Sequence, residues 1–107
     1  MWTALESEEQ LNKIQEHSFN HPVVIFKHST RCSISSMVKS RLERSAGPEG
    51  MEFYYLDLIR YRAVSNHIAD LYKVGHESPQ VLLIRNGECI YDESHYAISM
   101  EELALQH

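Results

Sequence analysis

Of the 107 residues, two are cysteines, and Cys32 and Cys89 stand in unlike surroundings. Cys32 lies in Lys27-His-Ser-Thr-Arg-Cys-Ser-Ile-Ser35, directly after an apolar β-branched run and where a helical periodicity begins. The unpaired N–H groups and dipole of a helix start favour negative charge there. Arg31 precedes the thiol, and Lys27 and His28 are close in sequence, so the local charge is positive and a nucleophilic thiolate is expected. An inert cysteine is usually a small buried apolar residue; Ser29, Thr30, Arg31, Ser33 and Ser35 make this loop too polar for that role. Three residues on, where a dithiol redox motif carries its second cysteine, the chain has Ser35. The helix therefore cannot close its own disulfide, and a mixed disulfide on Cys32 needs another thiol, most simply a small one from solution, to release it. Ser35 itself either donates its hydroxyl to the thiolate or is an ordinary early-helix serine. Cys89, between Glu88 and Ile90 in a strand-like run, reads as a buried core residue, with a resolving redox partner as the other reading.

Seven histidines raise the question of a metal. His28 and Cys32 are four residues apart and His76 is a further candidate, but zinc requires more ligands, and His17, His21, His67 and His107 read as scattered. No metal site is expected, and His76 is a candidate to tune the thiol instead.

The elements that position these groups follow from periodicity. Ser7 with Gln10 is a capping-box pattern that opens a helix over about residues 8 to 17, with Leu11 and Ile14 on its apolar face. Pro22 to Lys27 is a continuous apolar run suited to a central strand buried on both faces. Ile34, Met37, Val38, Arg41 and Leu42 give the apolar face of a helix that begins near Cys32 and ends before Gly47. Met51 to Asp57 reads as a second strand, and Tyr61, Val64, Ile68 and Leu71 as a third helical face stopped by Gly75. Val81 to Tyr91 is a hairpin about Asn86-Gly87, and Ser99 with Glu102, stapled by Ile98 and Leu103, starts a last helix. The resulting order, α-β-α-β-α-β-β-α, gives an α/β fold with a mixed four-stranded sheet flanked by helices, the order of the thioredoxin fold. The whole chain, 1–107, reads as one domain. In this order Ser78-Pro79, just before the third strand, faces the reactive helix end, where a cis proline would present the Ser78 backbone to a substrate strand.

Fifteen acids against ten bases give a formal charge of −5, and no Lys/Arg run offers a phosphate-binding surface, so nucleic acid is not an expected partner. No apolar stretch approaches the roughly 20 residues of a membrane helix. The acidic start, Met1 to Glu9, is unlike a basic-then-apolar signal peptide, and a cytoplasmic location is expected.

The segments Val24 to Ser35, His76 to Gln80 and Ser94-His95, with the proline, strand and Asn-Gly hairpin of Ser78 to Ile90, resemble the YtxJ-like monothiol bacilliredoxins of the thioredoxin-like superfamily. The resemblance spans nearly the whole chain. It implies a cytoplasmic protein of the bacillithiol system, with Cys32 as the reactive cysteine and Pro79 as the cis-proline. The family commonly has Thr-Cys-Pro-Ile-Ser, whereas Arg31 and Ser33 flank the cysteine here.

The expected function is removal of a low-molecular-weight thiol, bacillithiol, from S-thiolated client proteins by Cys32. The small thiol is a co-substrate, and no tightly bound cofactor is expected. Arg31 is placed to pair with a carboxylate of the small thiol, and Ser78 and Pro79 to hold the client strand. Two other readings are a non-catalytic thioredoxin-like binding module and an iron–sulfur carrier of monothiol-glutaredoxin type; the lack of a glycine after Cys32 weighs against the second.

Overall fold

The computed structural model describes residues 2–106. In chain order the elements are β1 (Trp2–Ala4), α1 (Glu8–His17), β2 (Val23–His28), α2 (Ser33–Arg44), β3 (Glu52–Asp57), α3 (Arg62–Tyr72), β4 (Gln80–Arg85), β5 (Glu88–Ser94), a 3-10 turn (His95–Ala97) and α4 (Met100–Leu105). The strands form one mixed sheet in the order β1-β3-β2-β4-β5. β1 and β2 flank β3 in parallel, while β4 runs antiparallel to both β2 and β5.

The sheet thus has five strands rather than the expected four. Trp2, Thr3 and Ala4 pair with Phe53, Tyr54 and Tyr55, and Leu5 N–H continues the ladder to the Tyr55 carbonyl at 2.8 Å. Three residues carry no readable periodicity. What fixes β1 is long-range, because the Trp2 ring packs on Phe53 and Phe26 with centroids 5.0 and 6.2 Å apart.

β2 is buried along its whole length, as a central strand should be. Successive side chains of a strand point to opposite faces. Val23 and Ile25 join Leu11, Ile14, Val64 and Ile68 in one core under α1 and α3, whereas Val24 and Phe26 join Val38, Leu42 and Leu103 in the other under α2 and α4. The caps act as their residue types require. Ser7 Oγ accepts from Gln10 N–H at 3.3 Å and Ser99 Oγ from Glu102 N–H at 3.2 Å. Asn86 and Gly87 take φ of 53° and 77°, which a two-residue type I′ turn demands.

Two helical faces differ in detail from the expected ones. On α3 the buried set is Val64, Ser65, Ile68 and Tyr72, and Leu71 faces out. The helix stops at left-handed Lys73, two residues before Gly75. On α2, Ser35 replaces Met37 on the buried side.

Candidate functional site

Cys32 is the N-cap of α2. Its backbone is extended and its thiol makes no cap hydrogen bond, while its carbonyl accepts from Ser36 N–H at 3.0 Å. The thiol is half-buried, at the helix end where the amides of Ser33, Ile34 and Ser35 have no acceptor within the helix. A turn from Ser29 holds it there, with Cys32 N–H donating to the Ser29 carbonyl at 3.2 Å.

The positive charge expected around the thiol is largely absent. Lys27 lies on the sheet face of Val23 and Ile25, away from α2, fully buried, with Nζ donating to the Ser65 carbonyl of α3 at 3.1 Å. Burial, with the charge of Arg62 adding to it, pushes the Lys27 ammonium down to about 8. His28 does lie on the α2 side, stacked on Phe26 with centroids 5.9 Å apart. Burial first, and then the charge of Lys39, lowers its pKa, so the ring is neutral at pH 7. The cation left in the loop is Arg31, exposed and paired with no carboxylate among the described residues.

Ser35 is completely buried. Its Oγ accepts from Ser29 N–H at 3.0 Å and pairs with His28 Nδ1 at 2.7 Å. The hydroxyl has one proton. With the imidazole proton on Nε2, Ser35 donates to His28; with it on Nδ1, His28 donates and the hydroxyl proton is free to turn toward the N-cap. Ser35 thus ties the Ser29–Cys32 loop to β2, a contact that sequence spacing alone does not reveal because it joins a strand residue to a helix residue seven positions on.

Continuing the register Lys27↔Gln80 sets Pro79 opposite His28, so Ser78 and Pro79 lie at the same end of the sheet as Cys32. The Ser78–Pro79 peptide bond is cis. The Pro79 carbonyl accepts from His95 N–H at 3.0 Å, whereas the Ser78 backbone makes no hydrogen bond among the described residues, and Ser78 Oγ is buried without a partner. Gln80 Nε2 donates to the Gly75 carbonyl at 3.0 Å and pins this loop from inside. His76 is exposed in the same loop. Its pKa is lowered first by burial and then by Lys27 and Arg62, which puts it in the electrostatic reach of the buried lysine.

Cys89 lies at the other end. Ile84 faces Cys89 across one ladder and Val23 across the next, five strand residues before His28. At about 3.3 Å per residue the two thiols are roughly 16 Å apart or more along the strands, against a Cα separation under about 7 Å for a disulfide. Cys89 is half-buried rather than fully enclosed. It packs on the α1/α3 core, and its Sγ donates to the Tyr91 carbonyl at 3.3 Å. Burial raises its pKa, which keeps it a thiol. His28 and Cys32 belong to no metal-holding group among the described residues; of the histidines read as scattered, His17 and His21 instead converge with Glu52, and His107 lies outside the described residues.

Residues 3–103 match the family described as monothiol bacilliredoxin BrxC. Among solved structures, the chain is similar to a protein of thioredoxin fold proposed to be an oxidoreductase, at 32% identity and a TM-score of 0.82, covering 98% of this chain and 92% of that one. It is also similar to the thioredoxin of Malassezia sympodialis, at 16% identity and a TM-score of 0.74 over 95% of this chain and 84% of that one. The thioredoxin of Trypanosoma brucei brucei matches at 14% identity and a TM-score of 0.73 over 99% and 87%. The last two speak for the fold alone.

Proposed function

The chain belongs to the monothiol bacilliredoxin BrxC family, and from that membership we propose that Cys32 removes bacillithiol from S-bacillithiolated client proteins in the cytoplasm. The observation that supports this reading is a half-buried thiol at a helix N-cap with no second thiol in reach. The position of a local resolving cysteine is filled by the enclosed, hydrogen-bonded Ser35.

In the first step the Cys32 thiolate attacks the bacillithiol sulfur of the mixed disulfide. The client S–S bond breaks, its electron pair leaves with the client sulfur, and that thiolate takes a proton from water. Cys32 now carries bacillithiol. A second bacillithiol thiolate attacks the bound bacillithiol sulfur, releasing bacillithiol disulfide and restoring the Cys32 thiolate, so one free small thiol is consumed as co-substrate for each client released.

The exposed Arg31 guanidinium pairs with a carboxylate of the small thiol. The free N–H and C=O of Ser78, beside Pro79, accept the client backbone as an added strand. Ser35 acts through the loop, tying Ser29, whose carbonyl holds the Cys32 N–H, to His28.

The test is release of bacillithiol from a thiolated client by the reduced protein. Cys32→Ser is expected to abolish release and Cys89→Ser to leave it within about twofold; the reverse pattern would overturn the assignment. Equal rates on glutathionylated and bacillithiolated clients would refute bacillithiol as the preferred thiol while leaving the exchange chemistry in place.

A further inference from the structure

His17 closes α1, and the helical course continues one turn beyond it. Asn20 N–H and His21 N–H both donate to the His17 carbonyl, at 2.9 and 3.1 Å, so the two histidines stand four residues apart on one face of a helical turn. Pro22 then starts the strand. Its carbonyl accepts from Glu52 N–H at 3.0 Å, and Glu52 is in register with Val23. Backbone hydrogen bonds alone therefore bring His17, His21 and Glu52 together, before any side-chain attraction is considered.

The side chains complete the convergence. His17 Nδ1 and His21 Nε2 lie 3.1 and 3.2 Å from the same oxygen, Glu52 Oε2, and all three donor atoms fall within 4.8 Å of one another. Ligands about 2.0–2.1 Å from a tetrahedral zinc sit roughly 3.3 Å from each other, so two of the three edges already match. A second observation points the same way. Glu52 Oε2 makes a hydrogen bond with His17 Nδ1, whereas His21 Nε2 is shut off from solvent and, though 3.2 Å from that oxygen, makes no hydrogen bond to it or to any other of the described residues. A buried polar atom without a partner is uncommon and calls for an explanation; a metal ion held jointly by the two nitrogens and the oxygen supplies one.

We propose that His17, His21 and Glu52 bind one divalent transition-metal ion at the end of the sheet opposite Cys32. Two imidazoles with one carboxylate select the zinc, cobalt, nickel and copper class over magnesium or calcium, which prefer oxygen ligands. The side chains of His17, His21 and Glu52 are 42%, 33% and 33% exposed, so an ion enters from the His17 and Glu52 side and water completes its coordination. The site lies about five strand residues from the redox loop and is separate from the exchange chemistry.

The experiment is calorimetric titration of untagged protein with zinc alone at pH 7.5, with both cysteines changed to serine so that no thiolate competes. One zinc per chain is expected. Glu52→Gln and His21→Gln should each weaken binding by at least about tenfold, while His67→Gln, on α3, leaves it unchanged; circular dichroism without metal verifies that each variant is folded. A cobalt titration that develops visible d–d absorption, lost in folded Glu52→Gln, reports coordination directly. Absence of binding, or binding that survives both Glu52→Gln and His21→Gln, overturns the site and leaves the cluster as a pair of His–Glu ion pairs.

Discussion

Among the described residues Lys27 is the lysine enclosed completely by the fold, and replacing it with methionine is expected to stabilise the protein at neutral pH. Burial and Arg62 lower its pKa from 10.5 to about 8. Because the folded value lies below the unfolded one, the unfolded chain holds more protons between the two. Stability therefore rises as the pH climbs from 8 toward 10.5, and the full penalty is felt below 8. The gap of about 2.5 pH units corresponds to about 3 kcal/mol at pH 7, falling to about 1 kcal/mol at pH 9.5. Methionine has a similar length and gives up the Nζ bond to the Ser65 carbonyl, worth about 1 kcal/mol. The net gain is then about 2 kcal/mol at pH 7 and close to zero at pH 9.5. The tyrosines complicate either curve taken alone, since burial pushes Tyr72 up to about 12 and also raises Tyr54 and Tyr91. Both proteins share that loss of stability at high pH, so the difference between them isolates Lys27. Urea unfolding of wild type and Lys27→Met at pH 7, 8, 9 and 9.5 measures it. A variant less stable than wild type at pH 7, or a difference that does not narrow with pH, would refute the reasoning.

Two further substitutions probe the loop and the hairpin. Ser35→Ala strips the partner from the enclosed His28 Nδ1 and from Ser29 N–H. It should cost about 2 kcal/mol, seen in a melting scan as a drop of about 8 °C, and a fall below about 2 °C would mean that water replaces the hydroxyl. At Gly87, with φ +77°, an added Cβ would sit 2.7 Å from Gln15 Nε2 and 3.0 Å from Phe19 Cζ, whereas at Gly50, with φ +80°, it would meet open space. Both Gly→Ala changes carry the left-handed backbone cost of about 1–2 kcal/mol. Gly87→Ala should exceed Gly50→Ala by about 1 kcal/mol in denaturant unfolding, because it also disturbs the Gln15 bond to the Gly87 carbonyl.

What could be read from the sequence was governed by local rules. The span of α1, the Asn86-Gly87 turn and the start of α2 at Cys32 follow from capping, positive φ and 3.6-residue spacing, each fixed within a few neighbouring residues. The direction of Lys27 was also written there, since period two sets it with Val23 and Ile25 rather than with His28. The unbroken apolar run, buried on both faces, hides that alternation. The choice between Leu71 and Tyr72 turns on about 100° of helix rotation, and it is decided by tertiary contacts, among them the Tyr72 hydroxyl donating to Gln15 Oε1 at 2.7 Å. β1, the His28–Ser35 pair and the arrival of Glu52 beside His17 and His21 depend on strand order and register, which no single window of sequence contains.

The placement of the two thiols at opposite ends of the sheet also decides how this protein meets an oxidant such as peroxide. A protein whose paired cysteines sit side by side can condense a sulfenic acid into an internal disulfide and halt there. Cys32 has no such refuge, because Cys89 is roughly 16 Å or more away across an intact sheet. A sulfenic acid formed on Cys32 either condenses with a thiol arriving from outside or proceeds to the irreversible sulfinic and sulfonic acids. A thiol from outside the chain is therefore what stands between Cys32 and its permanent loss.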